Sequence, residues 1–304
     1  MPNQDPIGVH LVGSIPLPTA ETVFRTLPQA LPSRLHTLPD GETSTRYNWI
    51  EWQTPCFPRE TLRPVHGGIA LPPNHPGPDV FTADSIGPTN YDTAALSAYA
   101  HFVSLREDGT IPADIRFQWD VAVEVLALEY ESGRLENEFF RPHFINEDGG
   151  VRAGVLARLQ RICAGIPGDV ELGFHFCYGD AGHRHFVEPV DLGVVVGLVN
   201  GVVDVVGSIR DIGWVHMPVP KGRDDEAYFE PLRELRIAQE TRLYLGLVHT
   251  FDLEGTRRRI RAAQGVVKRG FGVATECGIG RTPKEVLKSI LEISREVAAT
   301  IERR

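Results

Sequence analysis

The run Val170–Cys177, VELGFHFC, carries a clear signal for a buried β-strand. It is short and mainly apolar, and a Gly179-Asp180 turn follows it closely. A run of this length that ends at a turn favours a buried β-strand over a helix. Four similar runs occur in the chain, at Ile115–Trp119, Ile212–Val219, Leu243–Val248 and Phe271–Thr275.

Amphipathic or apolar patterns typical of helices separate these runs. We predict helices at Gly150–Ala164, Val187–Val199, Asp224–Ala238, Asp252–Val267 and Thr282–Arg304. A chain that alternates between strand and helix favours a parallel sheet, because each helix carries the chain back to start the next strand.

The N-terminal part of the chain continues this pattern less regularly. Three strand candidates lie at Gly8–Gly13, Leu35–Leu38 and Val80–Pro88, and helix candidates at Thr19–Leu27 and Asp92–Arg106. A Pro- and Gly-rich segment at about residues 55–78 predicts a long loop.

Eight strand candidates in one chain favour a closed barrel over an open doubly wound sheet. The segment Gly13-Ser14-Ile15-Pro16 after the first strand lacks the glycine spacing of a dinucleotide-binding loop. The expected fold is therefore α/β, with a single (β/α)8 TIM barrel formed by residues 1–304.

The composition is that of an ordinary globular protein, with 42% hydrophobic and 23% charged residues among 304. A formal net charge of −9 argues against nucleic acid or an anionic membrane as the main partner. We find no signal-like N-terminus and no apolar run long enough to span a membrane, so a cytoplasmic location is expected. The expected partner is a small-molecule substrate, and assembly into a homo-oligomer stays open.

Polar and sulfur-bearing residues collect just past the predicted strands. In a parallel barrel these positions converge on one mouth, where catalysis takes place. The residues at these positions are Ser14, Glu42, Asp120, His175, Cys177, His216, His249, Glu276 and Cys277.

His175 and Cys177 are two positions apart, so both side chains lie on one face of a strand. Zinc binds Cys thiolate and His nitrogen in a tetrahedral arrangement, and Cys277 would supply a third ligand from the last strand. In the alternative interpretation the two cysteines are small buried hydrophobic residues.

Asp120, Glu42 and His249 are the candidate catalytic residues. Each carboxylate could bind a substrate cation or act as a base, or could instead form a salt bridge or support a helix N-terminus. Arg46 and Tyr47 follow Glu42 and could hold an anionic group of the substrate.

Several of these segments resemble motifs of cobalamin-independent methionine synthase and its relatives, in the order found in that family. The matching segments are Gly13-Ser14-Ile15-Pro16, Gly41-Glu42, Gly87-Pro88, Gln118-Trp119-Asp120, His175-Phe176-Cys177-Tyr178 and Glu276-Cys277-Gly278. The resemblance implies substrate contacts from Gly13 and Ser14, binding of a substrate amine by Glu42 and Asp120, and zinc held by His175, Cys177 and Cys277.

The sixth predicted strand departs from the family. The synthases carry a glutamate zinc ligand there, whereas this chain has Trp214-Val215-His216-Met217-Pro218. Either His216 replaces the glutamate, or the metal has three protein ligands, or zinc is absent.

The resemblance implies zinc-dependent transfer or cleavage at a carbon–sulfur bond, of the thiol alkyl- or methyltransferase kind, on a small amino-acid-like substrate. A second hypothesis is a metal-free lyase, decarboxylase or hydrolase that uses the acid–base residues of the same mouth, as the related uroporphyrinogen decarboxylases do. A third is a binding protein without catalysis, which so many polar groups at one mouth disfavour.

Overall fold

The structure of the protein is a computed structural model. It describes residues 5–48, 52–57, 63–65, 68–70, 85–88, 91–107, 109, 116–142, 144–145, 148–179 and 184–301. Most of the predicted 55–78 loop and residues 80–84 of the predicted third strand lie outside this part of the chain.

A parallel six-stranded sheet is the centre of the molecule. Its strands are β1 (Val9–His10), β4 (Arg116–Val121), β5 (Glu171–Phe176), β6 (Ile212–Pro218), β7 (Arg242–Val248) and β8 (Gly272–Thr275). Neighbouring strands pair in the order β1-β8-β7-β6-β5-β4, and all five pairings are parallel. The two remaining strands, β2 (Arg63–Val65) and β3 (Gly68–Ala70), form a separate antiparallel hairpin within the predicted loop.

The sheet is curled so that its two ends face each other. β1 and β4 are the outermost strands in the pairing order, yet His10 Nε2 lies 2.9 Å from Gln118 Oε1. The Gln118 amide also donates to the carbonyl oxygen of Val12, at 2.6 Å. These contacts cross the interior of a partial barrel.

Eight-stranded closure is not found among the described residues. The predicted strand Leu35–Leu38 is reduced to a single parallel bridge between Leu35 and Val9. Residues 85–88 of the predicted Val80–Pro88 strand form no strand. Pro39, just after Leu38, cannot donate a ladder hydrogen bond, so the second strand cannot extend beyond Leu38.

Helices follow the strands and cover the outer face of the sheet. They are α1 (Ala20–Ala30), α2 (Tyr91–Glu107), α3 (Val123–Glu131), α4 (Gly150–Ala164), α5 (Gly193–Val206), α6 (Glu226–Phe229), α7 (Leu253–Val266) and α8 (Lys284–Val297). Short 3-10 helices lie at Ser44–Tyr47, Thr54–Cys56, Glu138–Phe140 and Glu230–Glu234. None of the helices in the described ranges is long and apolar enough to cross a lipid bilayer.

Alternation along the strands divides their side chains between two environments. Phe174, Val215 and Leu245 point outward into the large core beneath the helices. The inward residues Trp214 and Tyr244 pack in a small cluster inside the curled sheet. Gly173 makes room for this cluster, because a Cβ atom there would lie 2.0 Å from the Trp214 ring.

Polar side chains occupy the interior above and below that cluster. Glu171 pairs with Arg116 and Arg242 at the N-terminal ends of the strands. His10 and His216 lie further along the strands, with their ring centroids 5.8 Å apart. The polar interior therefore leads towards the C-terminal ends of the strands, where the candidate site lies.

Candidate metal centre

One histidine and two cysteines meet at the C-terminal ends of β5 and β8. Cys177 Sγ lies 3.8 Å from Cys277 Sγ, and Cys277 Sγ lies 3.7 Å from His175 Nε2. Within the described part of the chain, these three residues form a group whose ligand atoms all lie within 4.8 Å of one another. His175 and Cys177 are buried and Cys277 is half-buried.

The backbone explains why these side chains converge. The ladder between β4 and β5 continues past the last strand residue, since Cys177 N donates to the carbonyl oxygen of Val121 at 3.2 Å. On β8, the Thr275 hydroxyl donates to the carbonyl oxygen of Cys277 at 2.9 Å and so holds the turn that presents this cysteine. Both thiols are placed by strand ends, which makes their positions well defined.

The geometry and the donor chemistry fit a tetrahedral metal ion. Two thiolates bound to zinc at ~2.3 Å in tetrahedral geometry lie about 3.8 Å apart, and the two sulfur atoms here are 3.8 Å apart. The hydrogen bond between Cys177 and Cys277 and the nearby His175 hold the pKa of the Cys177 thiol well below its usual range, against the effect of burial. A low thiol pKa favours the thiolate form that metals bind.

His216 lies behind the His175 ring. The two Nδ1 atoms are 2.6 Å apart, and the ring centroids are 4.8 Å apart. Burial, with His175 and His10 nearby, holds the pKa of His216 well below its ordinary value, so this ring is neutral. The structure therefore places His216 against the far nitrogen of His175, and the group of three metal-ligand candidates does not include it.

Asp120 lies beside the triad, because β4 and β5 pair with Asp120 opposite His175. The Gln118 amide donates to Asp120 Oδ1 at 2.9 Å. Burial raises the pKa of Asp120 above its ordinary value, while His175 and Gln118 act in the opposite direction. This carboxyl group thus stands next to the candidate metal centre in an environment that disfavours its charge.

Glu42 reaches the same mouth through a tight turn. Gly41 has a φ of +82°, and a Cβ atom there would lie 2.6 Å from Val23, so the turn requires glycine. The Glu42 carboxylate lies against Gly13, where an added Cβ atom would be 3.4 Å from Glu42 Oε2. Burial and the nearby Asp120 and Asp40 raise the pKa of Glu42 to about 8.

The Ser14 side chain forms a hydrogen bond within the protein. Its hydroxyl accepts a hydrogen bond from Gly280 N at 3.2 Å, and its carbonyl oxygen accepts one from Ile279 N at 2.9 Å. Ser14 therefore ties the segment after β1 to the segment after β8, next to Cys277.

Of the other predicted site residues, the side chains of Arg46 and His249 have partners within the protein. Arg46 Nη1 is 2.6 Å from Asp40 Oδ2, and the Tyr47 side chain is exposed. His249 Nε2 is 2.8 Å from the carbonyl oxygen of Val219, which links the ends of β6 and β7. Burial lowers the pKa of His249 to about 4, so the neutral ring donates this hydrogen bond.

Two residues of the site region are not among the predicted site residues. His10 lies inside the curled sheet, and burial lowers its pKa to about 3. His185 bridges Glu276 Oε1 at 3.1 Å and Glu188 Oε2 at 3.2 Å. Burial alone would lower the pKa of His185, but the two carboxylates raise it to about 9. The inward position of His10 on β1 could have identified it as a residue of the site region. No local sequence pattern pairs His185 with Glu276, which lies 91 positions later.

The site and sheet define the class of protein as an α/β fold with a candidate metal centre at the strand ends. No family model and no curated protein matches the chain. Among solved structures, the chain is similar to a B12-independent methionine synthase from Shewanella sp. W3-18-1 in complex with selenomethionine, at 14% identity and a TM-score of 0.50. That match covers 97% of this chain and 98% of the other.

A second similar structure is a putative vitamin-B12 independent methionine synthase from Listeria monocytogenes. It is 14% identical, covers 91% of this chain and 85% of the other, and has a TM-score of 0.43. The Shewanella match supports a shared fold, in agreement with the fold that the resemblance of the motifs implies.

Proposed function

We propose that the chain is an enzyme that binds zinc through His175, Cys177 and Cys277 and transfers or cleaves a group at a carbon–sulfur bond. The observation that carries the proposal is the convergence of two thiols and an imidazole nitrogen at tetrahedral ligand spacing. Three protein ligands leave a fourth position open, as catalytic zinc sites do. When bound, zinc lowers the pKa of a substrate thiol and so supplies a sulfur nucleophile at neutral pH.

Glu42 and Asp120 bind and orient a cationic group of the substrate in this scheme. Burial raises the pKa values of both carboxyl groups, and for Glu42 the nearby Asp120 and Asp40 add to the effect. An ammonium group placed between them would favour the charged form of each. Gly13 allows the close approach of Glu42. Ser14 ties its own loop after β1 to the loop after β8 that carries Cys277.

We propose an amino-acid-like substrate. The Shewanella enzyme was solved with selenomethionine, which carries both an amine and a carboxylate. Arg46 and Tyr47 are our candidates for the carboxylate, since Arg46 lies close enough to Glu42 to influence its pKa. Arg46 would then share its charge between Asp40 and the substrate.

The test is turnover of amino-acid thiols with methyl or alkyl donors, and of the corresponding thioethers, by protein loaded with zinc and by protein treated with a chelator. We expect activity that zinc restores after chelation and that Cys277→Ser abolishes. Cys163→Ser is the matched control, because Cys163 is a buried cysteine on α4 that belongs to the outer core. Turnover that survives both chelation and Cys277→Ser would contradict the proposal.

The second candidate function is metal-free acid–base catalysis of a lyase, decarboxylase or hydrolase. The observation in its favour is the pKa of about 8 of Glu42, which keeps this carboxyl group protonated at neutral pH and able to act as a general acid. Asp120 would be its partner, while His249 is held by Val219. Activity unaffected by chelation but lost in Glu42→Gln distinguishes this candidate.

Further proposals concern the fold, the cellular compartment and the partner. A complete eight-stranded barrel within residues 1–304 would need strands beyond Leu35 and around residues 80–84, between β1 and β4. A reducing compartment such as the cytoplasm would keep Cys177 and Cys277 available for a metal ion. The proposed partner is a small molecule, and assembly into a homo-oligomer is open to a sedimentation measurement.

A further inference from the structure

In the contact between His175 and His216, one ring nitrogen donates a hydrogen bond and the other accepts it. We propose that His216 is a positioning residue: it accepts a hydrogen bond from His175 Nδ1 and thereby keeps the Nε2 lone pair of His175 pointed at the two thiols. The inference deepens the proposed zinc site and rests on it for its function, although the hydrogen bond itself does not depend on metal.

The distance requires one donor and one acceptor. The Nδ1 atoms of His175 and His216 are 2.6 Å apart, so one of them carries a hydrogen and the other does not. If His216 donated, His175 Nδ1 would accept, and the hydrogen of a neutral His175 ring would sit on Nε2. It would then point towards Cys277 Sγ, 3.7 Å away, and block metal binding by that nitrogen.

The proposed metal site requires the opposite arrangement. A neutral His175 that offers its Nε2 lone pair to a metal carries its one hydrogen on Nδ1, so Nδ1 donates across the 2.6 Å contact and His216 Nδ1 accepts. Both rings are buried, so bulk water does not replace either partner in this contact.

This arrangement gives a physical role to the residue that replaces the glutamate of the sixth strand. A histidine that binds metal through one nitrogen usually donates its other N–H to an acceptor, which fixes its tautomer and raises its basicity. His216 supplies that acceptor without a charge. The site thereby keeps three protein ligands and gains a buried partner for one of them.

Two nearly isosteric variants test the proposal. In His216→Asn the amide oxygen lies near the position of the ring Nδ1 and can accept, whereas His216→Leu has similar volume and no acceptor. We expect the zinc Kd of His216→Asn to stay within about threefold of the wild type and that of His216→Leu to rise about 10- to 100-fold. Zinc affinity is measured by competition with a chromophoric chelator.

The nitrogen-15 shifts of the His175 ring in zinc-free protein give a second readout. We expect a protonated Nδ1 in the wild type and in His216→Asn, and loss of this preference in His216→Leu. His10→Leu is the packing control: it removes another buried histidine of the same interior, and zinc affinity should change less than about threefold.

The outcomes separate the two claims. Equal zinc affinities of the Asn and Leu variants, whether both weak or both normal, overturn the positioning role; both weak would indicate that His216 is itself a ligand or a packing residue. A wild type that binds no zinc overturns the proposed function. In that case the nitrogen-15 shifts still decide the inference, and a protonated Nε2 on His175 overturns it.

Discussion

The ion pair between His185 and Glu276 predicts a stability that depends on pH. His185 has a pKa of about 9 in the folded protein against an ordinary value of 6.5. Because the folded value is the higher one, the stabilisation is fully present below pH 6.5 and is lost as the pH rises through about 9. A difference of this size corresponds to about 3 kcal/mol at most. Partial exposure of His185 and the high exposure of Glu188 reduce it to about 1–2 kcal/mol.

The assay is urea unfolding of the wild type and His185→Gln near pH 6 and near pH 10. We expect the variant to be less stable by about 1–2 kcal/mol more at the lower pH than at the higher one. Glu42 also has a raised pKa and contributes a loss of stability over the same range, but it is common to both proteins and cancels in the comparison.

His36→Gln is the matched control. Burial lowers the pKa of His36 to about 4, so its contribution to stability is lost as the pH falls from about 6.5 towards 4. Between pH 10 and pH 6 the stability difference between wild type and His36→Gln should therefore change by less than about 1 kcal/mol, in the direction opposite to that expected for His185→Gln. A stability difference between wild type and His185→Gln that is the same at both pH values would refute the assignment of a charged His185.

Two more predictions concern the interior and the mouth. Gly173→Ala forces a methyl group against Trp214 and should lower the free energy of unfolding in urea by about 1–3 kcal/mol. Gly168→Ala, with open space around it, is the control and should lower the free energy of unfolding by less than about 1 kcal/mol. Equal losses of stability in the two variants would contradict the interior packing. Binding of an amino-acid ligand at pH 7 should release close to one proton from Glu42, measured by calorimetry in buffers of different ionisation enthalpy, and Glu42→Gln should remove most of this release. Release that is unchanged in Glu42→Gln would exclude Glu42 as the group that binds the amine.

The parallel strands of the C-terminal half were predictable because each has a strong local signal. The predicted helix Gly150–Ala164 matches α4, and four buried runs became β5 to β8 within one or two residues. The predicted helix Asp224–Ala238 is instead the short α6 and a 3-10 helix that begins at Glu230, because Pro231 cannot continue the backbone ladder.

Other boundaries depend on contacts that no local pattern contains. The predicted helix Val187–Val199 begins only at Gly193, where the Asp191 carboxylate accepts a hydrogen bond from Gly193 N at 2.7 Å. The helix α3 was not predicted at all, since it follows Asp120 without a turn signal. The β2–β3 hairpin was likewise hidden in a Pro- and Gly-rich segment.

The candidate site was predictable in its members and less so in their arrangement. Placing His175, Cys177 and Cys277 at strand ends required only the parallel topology. That His216 contacts His175 Nδ1 and that His249 is held by the carbonyl oxygen of Val219 depend on side-chain directions in three dimensions. The hydrogen bond from His10 to Gln118 joins residues 108 positions apart in the sequence, so it depends on the curl of the whole sheet.

The central claim is that His175, Cys177 and Cys277 form a zinc site. X-ray absorption of the zinc-loaded protein, together with its metal content, tests it most directly. We predict about one zinc per chain with two sulfur ligands at ~2.3 Å and at least one nitrogen at ~2.0 Å, and one sulfur fewer in Cys277→Ser. A wild type that retains no more zinc than the Cys177→Ser and Cys277→Ser variants, or a spectrum without sulfur ligands, would contradict the account.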